Sequence, residues 1–253
     1  MFIYGSFKSC ESFKRITSFF LLLTVSLSLL CICDLSYFAY LSSDTYISAI
    51  NDLTEKEIVI IDAGHGGEDP GAIGVNGAYE KDINLSVALT LGEILKGEGF
   101  VVVYTRTDDR MLYGEGENVK GIRKLSDLKN RCKIANEYNN AILVSIHMNS
   151  YSDGRYDGFQ AYYSDNNEQS LILSKSITDS IKNGLQTDNR RNPKSGKGMY
   201  LLDHVDNPAV LLECGFMSNT EECKKLLEKE YQKQLSLAIV YGIINYKNKS
   251  LAY

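Results

Sequence analysis

Two runs of β-branched and aliphatic residues each end in a histidine, and this pairing constrains the chain more than any other feature. The first is IVIIDAGHGG, Ile58 to Gly67, and the second is AILVSIHMNS, Ala141 to Ser150. A continuous Ile/Val run suits a strand covered on both faces, and the glycines after it let the backbone turn sharply at the strand's carboxyl end. Open α/β sheets place their ligand sites at that end. His65 and His147, two of only three histidines in the chain, are therefore predicted at one rim of one sheet.

The residues between and after these runs alternate helix and strand signals. From Glu80 to Lys96, apolar positions at Ile83, Val87, Leu91, Ile94 and Leu95 form a helical stripe that ends at Gly97 and Gly99. Phe100 to Tyr104 is a second strand, the polar stretch Thr107 to Gly121 a loop, and Leu125 to Tyr138 a helix leading into the His147 strand. Further strands are expected at Gly158 to Ser164 and Ala209 to Glu213, with a helix around Glu168 to Leu185 and closing helical structure over Glu221 to Tyr246. This succession predicts a single α/β domain, residues 57–253, with a twisted and largely parallel sheet flanked by helices on both faces.

The amino-terminal part has a different character. Ile16 to Cys33 holds no charged residue and follows Lys8, Lys14 and Arg15, the positive flank of a segment that starts on the cytoplasmic side. Its 18 residues span roughly 27 Å as a helix, close to the hydrocarbon thickness of a bilayer. Residues 1–33 are read as a cytoplasmic start and membrane segment, an anchor in preference to a cleaved signal because no small-x-small cleavage site stands after it. Residues 34–56 are a tether, and the domain is exported to the outer side of the membrane.

Composition excludes two classes of function. The net charge of −5 offers no electrostatic footprint for nucleic acid. Of six cysteines, Cys10, Cys31 and Cys33 lie in or before the apolar run, and the remaining Cys132, Cys214 and Cys223 show no CxxC spacing, so neither a disulfide framework nor a cysteine metal site is expected.

Two strand-end histidines suit a hydrolytic zinc site, which takes three protein ligands and leaves a fourth position for water. Glu80, opening the helix after the His65 loop, is the leading third ligand, and Glu213, ending the strand PAVLLE, is the other. A carboxylate at a buried strand end is costly unless it binds a metal or takes part in chemistry. Asn149 and the backbone around Gly66 and Gly67 are candidate substrate contacts. His204 is read as a rim residue, and Arg131 as one half of a structural salt bridge.

VIIDAGHGGEDPGA, Glu80 at the head of the next helix, SIHMNS and PAVLLECGFMSN resemble, in order and spacing, the signatures of the zinc-dependent N-acetylmuramoyl-L-alanine amidases of the Amidase_3 family. The resemblance covers about Ile58 to Tyr246 and extends to single-domain, membrane-led members of the CwlD type in endospore formers. It implies that His65, Glu80 and His147 bind one Zn²⁺ and that Glu213 is the catalytic acid-base. The substrate implied is peptidoglycan, cut between the lactyl group of N-acetylmuramic acid and L-alanine during spore-cortex maturation, in the forespore or mother-cell envelope, with an accessory lipoprotein as partner. Met148 and Cys214 depart from the family pattern at positions next to a ligand and to the acid-base. Three rivals stand beside this reading. A dinucleotide-binding loop fails because Asp69 occupies the third glycine position of G-x-G-x-x-G. A zinc carboxypeptidase shares the ligand types, and a non-catalytic wall-assembly protein shares the fold, but the latter has no need for Glu213.

Overall fold

The computed structural model describes residues 22, 24, 26, 28, 30, 32–37, 39, 57–114, 116–117, 119 and 121–250. The expected membrane segment and tether lie largely outside them. Those described between 22 and 39 are helical, and among the described residues no helix is long and apolar enough to cross a membrane. The chain divides into two compact units, Met1–Lys56 and Glu57–Tyr253, and the second contains the sheet.

Six strands, β1 (Ile58–Ala63), β2 (Val101–Tyr104), β3 (Ala141–Asn149), β4 (Gln160–Tyr163), β5 (Lys194–Ser195) and β6 (Ala209–Phe216), form that sheet in the order β2-β1-β3-β6-β4-β5. The four strands β2, β1, β3 and β6 are mutually parallel, as expected. β4 runs antiparallel to β6. It starts from a loop at the end where β3 stops, with no crossover helix to carry the chain back, and so must run the other way.

Side-chain alternation divides the sheet into two cores. Val59, Ile61 and Ala63 of β1, with Ile142, Val144 and Ile146 of β3 and Val210 and Leu212 of β6, pack into one cluster. Helices α1 (Glu80–Gly97), α3 (Gln169–Gly184) and α6 (Lys229–Ser250) cover it. Each presents an apolar stripe at helical spacing, such as Ile83, Val87, Leu91 and Leu95 of α1, all buried. Burying such side chains contributes about 1.5–3 kcal/mol each. The opposite face is smaller. Ile60, Leu143, Ala209 and Leu211 meet α2 (Arg123–Asn136) and the short α4 (Tyr200–Asp203).

Element boundaries differ from expectation in informative places. The closing helical stretch is two helices, α5 (Thr220–Leu227) and α6, separated by Glu228 with an extended ψ of 124°. Asn219 starts α5 by accepting from the backbone N–H of Glu221 and Glu222 at 3.1 and 3.0 Å, as an N-cap side chain does. β5 and α4 have no sequence signal because two and four residues are too few to show a period.

Candidate active site

The sheet's register brings the histidines and glutamates together. His147 pairs with Glu213 across β3 and β6, and paired residues of parallel strands point to the same face. Asp62, Ser145 and Leu211 lie on that same face, the thinly covered one. β1 ends beside His147, where the Gly64 N–H donates to Ile146 O at 3.0 Å. A Cβ on Gly64 would lie 2.2 Å from the His147 ring, so only glycine lets this imidazole pack on the β1 backbone. His65 follows with φ of +61°, a conformation uncommon for a residue with a side chain.

Two buried arginines hold that turn. Arg131 donates to the carbonyl oxygens of Ala63 and His65 at 2.8 and 2.7 Å, and Arg106 to those of Ala63 and Gly64 at 2.8 and 2.9 Å. Arg131 in turn pairs with Asp62 at 2.6 Å and Asp127 at 2.7 Å, the structural salt bridge expected of it. Burial raises the Asp62 carboxyl, but the Arg131 charge and the Ser145 and Thr105 hydroxyls outweigh it and bring the pKa down to about 2.

Glu80 opens α1 and is 3% exposed. Its Oε1 lies 3.2 Å from His65 Nε2 and 3.0 Å from His147 Nδ1, and accepts from Met148 N–H at 3.0 Å. Oε2 accepts from Ala72 N–H at 2.8 Å. The loop can approach this closely because residue 71 is glycine, where a Cβ would meet Glu80 Oε2 at 2.5 Å. On its far side, His65 Nδ1 lies 2.9 Å from Asp69 Oδ2.

These three side chains suit a divalent metal. One ligand atom from each of His65, Glu80 and His147 lies within 4.8 Å of the others. Ligands about 2.0–2.1 Å from a tetrahedral zinc stand about 3.3 Å apart, close to the two Glu80 separations. The pocket also attracts positive charge. Burial works against it, but hydrogen bonds to Asp69 and Glu80 carry His65 up to about 9. Burial likewise opposes the charge on Glu80, yet the two imidazoles hold its carboxyl below the usual range.

Glu213 is different. It is half-buried, and its Oε2 is shielded from solvent without a hydrogen-bond partner among the described residues. Burial pushes its carboxyl up to about 7, with His147 opposing the rise and Glu80 adding to it. Directly opposite on β4 lies Gln160. Its Nε2 donates to Ala161 O and Asn192 O at 2.9 Å each, while its buried Oε1 also lacks a partner.

The remaining sequence candidates divide clearly. His204 lies outside the cluster, exposed, with Nδ1 2.8 Å from Tyr200 O and its ring stacked on Tyr200. Asn149 extends β3 two residues past His147 on the same face. Met148 and Cys214 are 2% and 0% exposed in the α1/α3/α6 core, so their side chains fill the opposite side of the sheet. Asp69, Arg106 and Gln160 carry little in the sequence that marks them as site residues. The signals were slight: a carboxylate four residues after His65, an arginine just past β2, and a glutamine within a short strand.

Residues 59–245 match the Amidase_3 family, described as N-acetylmuramoyl-L-alanine amidase, and the chain belongs to that family. It is by this membership a cell-wall amidase. The germination-specific N-acetylmuramoyl-L-alanine amidase of Bacillus subtilis is 34% identical over 190 residues, covering 75% of this chain and 79% of that protein. The CwlD amidase of Clostridioides difficile, solved in complex with the GerS lipoprotein, is similar with a TM-score of 0.73 and 39% identity over 76% of this chain and 98% of that one. An N-acetylmuramoyl-L-alanine amidase from Clostridium difficile 630 gives a TM-score of 0.66 at 30% identity, covering 76% and 97% of the two chains.

Proposed function

We propose that this chain hydrolyses the amide between the lactyl group of N-acetylmuramic acid and L-alanine of the peptidoglycan stem peptide, as a zinc enzyme acting in spore-cortex maturation and germination. The observation that carries the reading is the convergence of His65, Glu80 and His147 on one point, with the unpaired Glu213 in register beside them.

His65 Nε2, His147 Nδ1 and Glu80 would hold the ion. When bound, zinc supplies Lewis acidity, which polarises a carbonyl and lowers the pKa of water. Asp69 fixes the His65 tautomer and ring orientation, the usual work of a carboxylate behind a ligating imidazole. Glu213 Oε2 takes the proton of the attacking water and passes it to the departing alanine nitrogen. A carboxyl held near neutrality suits both transfers, because it accepts and releases a proton at similar cost.

The germination role draws support from the Bacillus subtilis relative, and an accessory lipoprotein partner from the Clostridioides difficile complex. The charge-free run Ile16 to Cys33 supports tethering at the outer side of the cytoplasmic membrane. Zinc analysis of the purified chain beside mass spectrometry of digested peptidoglycan tests the reading. One zinc per chain and peptides with free L-alanine amino termini are expected. Release of carboxyl-terminal amino acids would transfer the chain to the carboxypeptidase class, and no release would make it a binding protein.

A further inference from the structure

β3 and β6 continue past the residues they deliver to the site. His147 pairs with Glu213 and then Asn149 with Phe216, so β6 uses three residues where β3 uses two. Side chains alternate with period two and paired residues share a face, so this bulge turns Phe216 onto the face that carries His147 and Glu213. Two strand rises put it roughly 7 Å beyond Glu213.

Phe216 is the base of an aromatic ledge. The Tyr156 ring stacks on it with centroids 6.3 Å apart and planes at 28°, and Tyr151 meets Tyr156 edge to face at 5.0 Å. Phe216 is 6% exposed, whereas Tyr151 and Tyr156 are 57% and 47% exposed. A single exposed tyrosine needs no explanation, but these two are stacked and strapped down. Ser218 Oγ accepts from Tyr151 N–H at 3.1 Å, Asn219 donates to Gly154 O at 3.0 Å, and buried Glu222 accepts from the N–H groups of Gly158 at 2.9 Å and Phe216 at 2.7 Å.

We propose that Tyr151 and Tyr156 form a saccharide-binding ledge that receives the sugars flanking the muramic residue whose peptide is cut. This inference rests on the amidase reading above. A pyranose presents one face of C–H bonds, apolar and slightly positive, which matches the negative face of an aromatic ring. The ledge is continuous with the site through both strands that supply its side chains, so a glycan lying on it is already aligned with the scissile amide. A cavity of about 170 Å³ at the histidines themselves, lined by His65, His147, Met199 and Tyr200 among others, leaves room for the peptide half.

The full chain is compared with Tyr151→Ala/Tyr156→Ala and Tyr151→Phe/Tyr156→Phe on two substrates: long glycan strands bearing stem peptides, and a single muramoyl peptide without neighbouring sugars. The alanine pair raises KM on long strands about tenfold with kcat within about twofold, leaves the single muramoyl peptide unchanged and keeps its metal content, while the phenylalanine pair behaves as wild type. Equal loss on both substrates, no loss on either, or failure of the phenylalanine pair overturns the ledge. If the wild type releases peptide from neither substrate, the amidase reading falls, and binding to peptide-stripped glycan strands still decides the ledge. Loss of that binding in the alanine pair upholds it, and equal binding overturns it.

Discussion

Two systems of buried charge lie side by side at the carboxyl end of the sheet, and they are built on opposite principles. Around Arg131, every charged atom is used. Asp62 accepts from Thr105, Ser145 and Arg131, and Arg131 divides its donors among Asp62, Asp127 and two backbone carbonyls. Around Glu213, Oε2 and the facing Gln160 Oε1 have no partner among the described residues. Complete pairing fixes geometry and keeps carboxylates charged, whereas incomplete pairing leaves an acid close to neutrality. The first system is scaffold for the turn that presents His65, and the second, on the function proposed above, is a group kept ready for proton transfer.

The sharpest way to break this contrast is Glu213→Gln. It keeps the shape and all three metal ligands but removes the base, so turnover should fall roughly 10²–10⁴-fold with zinc content and folding stability retained. Glu80→Ala should lose zinc and activity together. Metal content measured beside peptide release for both variants decides the roles. Zinc lost from Glu213→Gln and kept by Glu80→Ala would mean that the assignments are exchanged.

Arg131→Met addresses the paired system. Asp62 and Asp127 would lose their shared counter-charge inside the protein, and such losses cost about 3–5 kcal/mol. Urea unfolding at neutral pH should show this drop. A change below about 1 kcal/mol would show that the network is not what holds the turn.

What was readable in advance follows the same division. Strand-end histidines, the α1 stripe and the Glu80 and Glu213 positions are legible because hydrophobic period and chain order set which face and which end a residue occupies. Asp69 reaches His65 only through a turn with His65 at φ +61° and Gly66 at +135°, and no period encodes such a path. Gln160 belongs to the site because β4 runs antiparallel to β6 with Gln160 opposite Glu213, a pairing that depends on tertiary contacts. The sequence reading expects a structural salt bridge of Arg131, but its grip on the Ala63 and His65 carbonyls is visible only once the backbone is placed.

Acid should weaken the paired system in a defined window. Asp62 is held at about 2 in the folded chain against an ordinary 3.8, so between these values the unfolded chain binds more protons and stability rises with pH. Its contribution of about 2–3 kcal/mol is complete above pH 4 and disappears as the pH falls toward 2. Unfolding free energies of wild type and Asp62→Asn across this window provide the check. Asp62→Asn should start lower at neutral pH and lose less on acidification, and parallel curves would remove Asp62 from the account.

The smallest effect tests whether Asp69 belongs with the scaffold or with the reacting groups. Its Oδ2 meets the far nitrogen of His65 at 2.9 Å and Lys124 Nζ at 3.4 Å, and its Oδ1 accepts from Gly71 N–H at 3.3 Å, so it would act on a bound metal through the imidazole. Asp69→Asn keeps a hydrogen-bond acceptor of the same shape but removes the charge that makes His65 a stronger donor. Zinc affinity should fall about 10–100-fold, measured by competition with a chelator. Because Glu213 and the three ligands are intact, added zinc should restore turnover to near the wild-type value, which it cannot do for Glu213→Gln. Unchanged affinity would assign Asp69 to the turn alone, whereas weakened affinity with turnover that zinc does not restore would place it among the groups that touch the reaction.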